Sequence, residues 1–147
     1  MKLDEIDLKI LRALKEDGRL SNQDLAERIS LSPSACHRRV KELENSGIIK
    51  GYRAILDEKK LGREIEAFVE IGLMHLDESG HQHFCDHIAT LPEVINAYII
   101  TGESNYLLHV RTNNFSTFSY FITHKLNKIS GNIKIHSKIV ISDVKKM

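Results

Sequence analysis

Residues 32–47 place the tightest local constraint on this chain: Ser32-Pro33 opens a run that Gly47 closes, with helical periodicity between them. A serine hydroxyl can accept from a free N–H of the first turn, and proline at the first helical position gives up a donor that has no partner there. Glycine takes the left-handed backbone that ends a helix. At about 100° per residue, Cys36, Val40 and Leu43 share one face, with Ser34, Arg38, Lys41 and Asn45 opposite and His37 at the edge. One side of this helix has to pack on something apolar. The other offers hydroxyl, guanidinium, ammonium and amide groups to solvent.

Two shorter helices precede it. Asp4 caps the first, with Asp7 three positions on, and Ile6, Ile10, Ala13 and Leu14 repeat at helical spacing until Asp17-Gly18. Ser21 caps the second, with Leu25, Ala26 and Ile29 facing inward, and Ser30-Leu31 is a tight link to the third. After Gly47 the pattern changes. Residues 48–56 read as strand-like and 57–62 as a polar connector. Strands are expected over 65–73, 94–101, 106–112 and 133–144, with helices over 78–91 and 115–129. The fold class is therefore α+β: a three-helix, winged-type helix-turn-helix domain over 1–50, a linker strand and connector over 51–62, and a ferredoxin-like βαββαβ domain over 63–147.

Charge is unevenly distributed along the 147 residues. Residues 28–60 carry eight basic and four acidic side chains, whereas from residue 63 onward eight basic face nine acidic. A basic module joined to a neutral one fits an electrostatic footprint for a polyanion. No apolar run approaches the roughly 18 residues of a membrane span, and the first residues lack an apolar signal core, so neither membrane insertion nor secretion is expected. Cys36 and Cys85 form no paired pattern, which fits a reduced, cytoplasmic protein.

Two consecutive capped helices with a short link are the outline of a helix-turn-helix, whose second helix enters the major groove of double-stranded DNA. Ser32, Ser34, His37, Arg38, Arg39 and Lys41 are the candidate contacts on that helix, Arg38 first for base edges, with Lys50 and Arg53 on phosphates. The alternative is the solvated polar face of a small bundle. Arg39 sits nearer the buried side and can equally pair with an acidic residue of the first helix such as Asp7.

Leu31-Ser32-Pro33-Ser34-Ala35-Cys36-His37-Arg38-Arg39-Val40-Lys41-Glu42-Leu43-Glu44, followed by Gly47-Ile48-Ile49-Lys50-Gly51-Tyr52, resembles the recognition-helix signature of the Lrp/AsnC (feast/famine) family. Leu3-Asp4, Asp7, Ile10-Leu11, Leu14, Gly18-Arg19 and Leu25-Ala26 agree in register, as does Thr101-Gly102-x-x-Asn105-Tyr106-Leu107-Leu108 in the distal half. The resemblance implies a homodimer built through the distal domains, often assembled further into tetramers or octamers, that presents two recognition helices to a two-fold DNA site. It also implies a small effector, usually an amino acid, bound in the distal domain.

Read without the family, residues 101–106 are a hairpin turn with Gly102 supplying an unusual φ. With it, Thr101, Gly102, Glu103, Ser104, Asn105 and Tyr106 become the place where backbone N–H groups hold a carboxylate and an acidic side chain holds an ammonium. Asn105 stands where Asp is commoner, keeping a carbonyl acceptor and losing the charge. Ser137 matches a hydroxyl position near that pocket, and Ile95 and Tyr98 are further lining candidates. His81, His83, Cys85 and His87 cluster without a complete metal-ligand spacing, so no metal or other cofactor is expected. No nucleophile–base triad, phosphate-binding glycine loop or paired carboxylates point to an enzyme. Two other readings stay open: a sirohaem-decarboxylase-like enzyme, since those enzymes resemble the family in both halves, and a DNA-independent amino-acid-sensing module.

Overall fold

Helix α1 (Glu5–Glu16) begins where the Asp4 carboxylate accepts from the Asp7 N–H at 2.8 Å and the Asp7 carboxylate accepts from the Asp4 N–H at 3.1 Å, a reciprocal box made by two aspartates. Ser21 caps α2 (Asn22–Arg28) through the Asp24 N–H, and Ser32 caps α3 (Pro33–Asn45) through the Ala35 N–H. Past the end of α3, Gly47 has φ +74°, as its closing role requires. Ile10, Ala13, Leu25, Ala26, Cys36 and Leu43 are buried together, each helix contributing two, with Val40 and Ile49 packed at the edge. These helices belong to the first of two compact units, Met1–Leu56 and Asp57–Met147. The computed structural model describes residues 2–73, 77–128 and 133–144.

The strand-like reading of residues 48–56 is corrected: among the described residues no strand pairs with this stretch, and Tyr52, Ile55 and Leu56 are exposed. Its β-branched and aromatic composition suits a strand, but a strand needs a neighbour for its N–H and C=O groups. Gly51, at φ +153°, also interrupts the extended run. The expected connector divides, with residues up to Leu56 in the first unit and those from Asp57 in the second.

In the second unit, β1 (Ile65–Leu73), β2 (Val94–Ile99), β3 (Tyr106–Thr112) and β4 (Ile133–Ile139) form one antiparallel sheet in the order β2-β3-β1-β4. Helix α4 (Glu78–Ala89) follows β1, and α5 (Phe115–Tyr120) follows β3, completing the ferredoxin-like βαββαβ order. Helix α5 continues as a π-helical stretch over Phe121–Leu126, which the periodicity did not announce; the expected end at Ile129 lies outside the described residues. Strands β2 and β4 end earlier than expected, at Ile99 and Ile139.

Period-2 alternation sorts the sheet. Ala67, Val69 and Ile71 of β1 pair with Val110, Leu108 and Tyr106 of β3, and all six are buried against Phe84, Ile88, Phe118, Phe121 and Leu126 from the helical layer. Burying Phe84 and Phe121, each at most 1% exposed, contributes about 1.5–3 kcal/mol apiece. The opposite face carries Glu66, Phe68 and Glu70 of β1 beside His109 and Leu107 of β3 and His136 and Lys138 of β4. There Phe68 stacks on His109 with ring centroids 4.9 Å apart, and Glu66 bonds the His109 Nε2 at 2.6 Å and Arg111 at 3.2 Å. Burial pushes the Glu66 carboxyl up, but His109 and Arg111 outweigh it and leave it lowered.

Candidate nucleic-acid interface and effector pocket

The turn between α2 and α3 presents the recognition helix. Ser30 adopts φ +59°, the left-handed region, and the Leu31 N–H donates to the Ala26 carbonyl at 2.9 Å to close it. The Asn22 side-chain amide donates to the Pro33 carbonyl at 2.8 Å, tying the start of α2 to the first turn of α3. With Cys36 and Leu43 fully buried, the helix can expose only its other side.

That side carries the predicted residues. Ser34, His37, Arg38 and Lys41 are exposed along α3, as are Lys50 and Arg53 beyond it. Arg38 Nη1 donates to Glu42 at 2.7 Å, and Lys41 Nζ donates to Glu44 at 2.8 Å. Exposed pairs of this kind are worth about 0–1 kcal/mol, so neither prevents its cation from turning to a polyanion. Ser32 is exposed at the helix end with its hydroxyl engaged as the cap.

Arg39 is corrected from the list of DNA contacts. Its Nη1 donates to Asp4 Oδ2 at 2.7 Å and to Asp7 Oδ1 at 2.8 Å, and its side chain is only 21% exposed. The physical reason is its angular position on α3, close to the buried seam, where the capping carboxylates of α1 attract it. The Asp7 N–H, followed by Arg39, holds the Asp4 carboxyl below its ordinary range, and Asp4 and Asp7 raise the Arg39 guanidinium in turn.

In the second unit the β2–β3 turn lies over the end of β1. Gly102 has φ +119° with open space where a Cβ would stand. Asn105 is a clamp: its side-chain oxygen accepts from the Leu73 N–H at 2.7 Å, its N–H donates to the Ile71 carbonyl at 2.9 Å, and its carbonyl accepts from the Ile100 N–H at 2.9 Å. Thr101, Glu103 and Ser104 line a cavity of about 170 Å³ with Ile100, Glu70 and His136. Glu70 also pairs with Lys138.

Several lining expectations change. Tyr106 is turned into the core, 2% exposed, stacked on Phe84, with its hydroxyl 2.6 Å from His81 Nδ1, so its side chain does not reach this cavity. Ser137 pairs with Val69 and shares its helix-covered side of the sheet, whereas Glu70 and His136 project from the other. Ile95 and Tyr98 are exposed on β2 and do not line the cavity. Glu70, His136 and Ile100 were missed. Only strand register, a non-local property, brings Glu70 opposite His136. Of the clustered histidines, His81 meets Tyr106 and Cys85, and the His87 ring reaches the Lys125 carbonyl at 3.0 Å.

Residues 3–50 match the family profile described as winged helix-turn-helix DNA-binding, and residues 66–147 match that of the Lrp/AsnC ligand binding domain. The chain is 38% identical over 145 residues to a leucine-responsive regulatory protein of Rhizobium meliloti (strain 1021), covering 99% of this chain and 93% of the relative. It is likewise 38% identical to the transcriptional regulator AzlB of Bacillus subtilis (strain 168), covering 98% and 92%. Its structure is similar, at a TM-score of 0.94 and 34% identity, to that of a Neisseria meningitidis transcriptional regulator in complex with L-Met, covering 99% of this chain and 94% of that one. A helix-turn-helix unit followed by a ligand-binding ferredoxin-like unit defines a DNA-binding transcriptional regulator. The chain belongs to the Lrp/AsnC family. Among the described residues no helix is long and apolar enough to cross a membrane.

Proposed function

We propose that this regulator reads its operator through Arg38, His37, Lys41 and Ser34 of α3, with Lys50 and Arg53 on phosphates, and that its DNA binding answers to an amino acid or related small metabolite. The observation that carries the reading is the polar, cationic face of α3 opposite the buried Cys36 and Leu43. Groups of this kind can bond base edges and phosphates in a major groove, phosphate contacts supplying affinity and base contacts supplying sequence preference. A homodimer, assembling further into tetramers or octamers, presents two such helices to a two-fold site. The protein acts in the cytoplasm, where its DNA is.

For the effector, support comes from the Lrp/AsnC ligand-binding domain and from the L-Met complex of the Neisseria relative. The cavity beside the β2–β3 turn is lined by Thr101, Glu103 and Ser104, whose backbone N–H groups would serve a carboxylate, and by the Glu103 and Glu70 side chains, either of which would serve an ammonium. Asn105 contributes by holding the turn, because its own acceptor is occupied by the Leu73 N–H.

A gel-shift titration on the DNA upstream of this protein's own gene tests both halves, with scrambled DNA as control and pooled amino acids added or omitted. Specific binding that moves with the pool supports both, and dividing the pool names the effector. Specific binding that ignores the pool keeps the DNA reader and removes the amino-acid response. No preference for any genome-derived fragment over scrambled DNA removes the sequence-specific reading.

A further inference from the structure

Glu44 of α3 is held from two sides. Its Oε2 accepts from Lys41 Nζ at 2.8 Å, and its Oε1 accepts from the Tyr52 hydroxyl at 3.1 Å. Tyr52 lies beyond α3, and its ring stands 3.7 Å from where a Cβ on Gly18 would be, so the segment after the recognition helix folds back over the end of α1 to reach Glu44. The Lys41 side chain is 57% exposed and that of Glu44 only 27%, so the ammonium faces solvent over a partly shielded carboxylate.

We infer that Tyr52 is a positioning residue of the DNA-binding face, acting through Glu44 on Lys41. The inference rests on Lys41 being a DNA contact. For Lys41 to reach a phosphate it has to leave Glu44, stripping a donor from a shielded carboxylate and leaving negative charge beside the incoming DNA. The Tyr52 hydroxyl keeps one donor on Glu44 at that moment and so lowers the cost of releasing the ammonium. Without the hydroxyl, Glu44 holds Lys41 harder and opposes the DNA more strongly once Lys41 has gone. Lys41 first and Tyr52 second hold the Glu44 carboxyl low, while burial and then Glu44 push the Tyr52 phenol up, so donor and acceptor both persist at neutral pH.

The test is a set of variants of the full chain, Tyr52→Phe, Glu44→Gln, Lys41→Ala and the doubles Tyr52→Phe/Glu44→Gln and Tyr52→Phe/Lys41→Ala. Each is titrated against a duplex selected by the parent protein from a random-sequence pool, at several salt concentrations. Tyr52→Phe keeps the ring against Gly18 and should weaken binding about threefold on all sequences. Glu44→Gln should tighten binding, and the Glu44 double variant should bind like Glu44→Gln alone, because the hydroxyl has lost the charge it serves. Lys41→Ala should lower the salt slope by about one and shrink the effect of Tyr52→Phe, since no ammonium is left to be released and only the repulsion by Glu44 remains. A structural role for the tyrosine gives a different pattern, in which the loss persists in the Glu44→Gln background; that result overturns the relay, as does parent-like binding by Tyr52→Phe. If Lys41→Ala leaves affinity and salt slope unchanged, Lys41 is no DNA contact and the relay falls with it.

Discussion

Arg39 Nη1 and Asp7 Oδ1 lie 2.8 Å apart, joining the recognition helix to the capping box that starts the first helix. Asp7 is 4% exposed, and Arg39, together with the Asp4 N–H, keeps its carboxylate compatible with burial. Arg39→Ala should therefore lower the thermal midpoint by several degrees, whereas Arg38→Ala, one residue earlier, should leave it nearly unchanged because among the described residues Arg38 pairs only with the exposed Glu42. Thermal unfolding followed by circular dichroism checks this. Equal midpoints for the two variants would remove the structural role assigned to Arg39.

The same cluster sets an acid dependence. The Asp4 carboxyl is lowered in the folded state, by the Asp7 N–H and then by Arg39, so the folded protein binds its proton less readily than the unfolded chain. Its stabilising effect is complete above the ordinary carboxylate pKa of about 3.9 and is lost as pH falls through the lowered folded value. Stability should fall more steeply as pH drops below about 4 in the parent than in Asp4→Asn, which keeps a capping oxygen and does not titrate. Urea titrations at stepped pH measure the two slopes. Parallel slopes would show that Asp4 is not the group responsible.

Much of the first unit is legible because its determinants are local. Asp4, Ser21, Ser32 and Gly47 act within one turn of where they stand, and the 3.6-residue spacing of Ile10, Cys36 and Leu43 with their neighbours chooses the buried faces. The βαββαβ order follows in the same way from alternation and turn residues. What local pattern does not carry is register. Nothing near Glu70 announces His136, and nothing near Ser137 shows that it shares a side with Val69. Residues 48–56 look like a strand by composition, yet lack a partner among the described residues. Ser30 in the left-handed region is likewise imposed by the geometry of the turn, since serine has no preference for it. The correction at Arg39 is of a different kind. Pairing with the first helix was one of two roles its angular position allowed, and tertiary packing chose between them.

Arg38 carries the sequence preference in the proposed reading. Its guanidinium is exposed and, among the described residues, committed only to Glu42, so it can turn to a base pair and make two parallel hydrogen bonds, as guanine O6 and N7 accept them. Arg38→Ala should cost on the order of 1–3 kcal/mol of binding to the preferred site and relax preference at one base position. Binding-site selection from random duplexes by parent and variant measures both effects. A uniform loss over all sequences would make Arg38 a phosphate contact.

Asn105 separates holding the turn from holding the ligand. Its side-chain oxygen accepts from the Leu73 N–H at 2.7 Å, in a partly buried setting where an unpaired donor is unfavourable. Asn105→Ala removes the acceptor and should lower stability by about 1–2 kcal/mol. Asn105→Asp keeps an acceptor in place and should retain most of that stability. The effector response should follow the turn: weakened in Asn105→Ala through a loosened segment over residues 101–104, and preserved in Asn105→Asp. Glu103→Gln should do the reverse, leaving stability unchanged and weakening the response, because that side chain is exposed beside the cavity and holds no strand in place. Chemical denaturation and effector-dependent gel shifts on the three variants separate these roles. If Asn105→Ala were as stable as the parent and lost only the response, Asn105 would be a direct ligand contact and the clamp would not be its role.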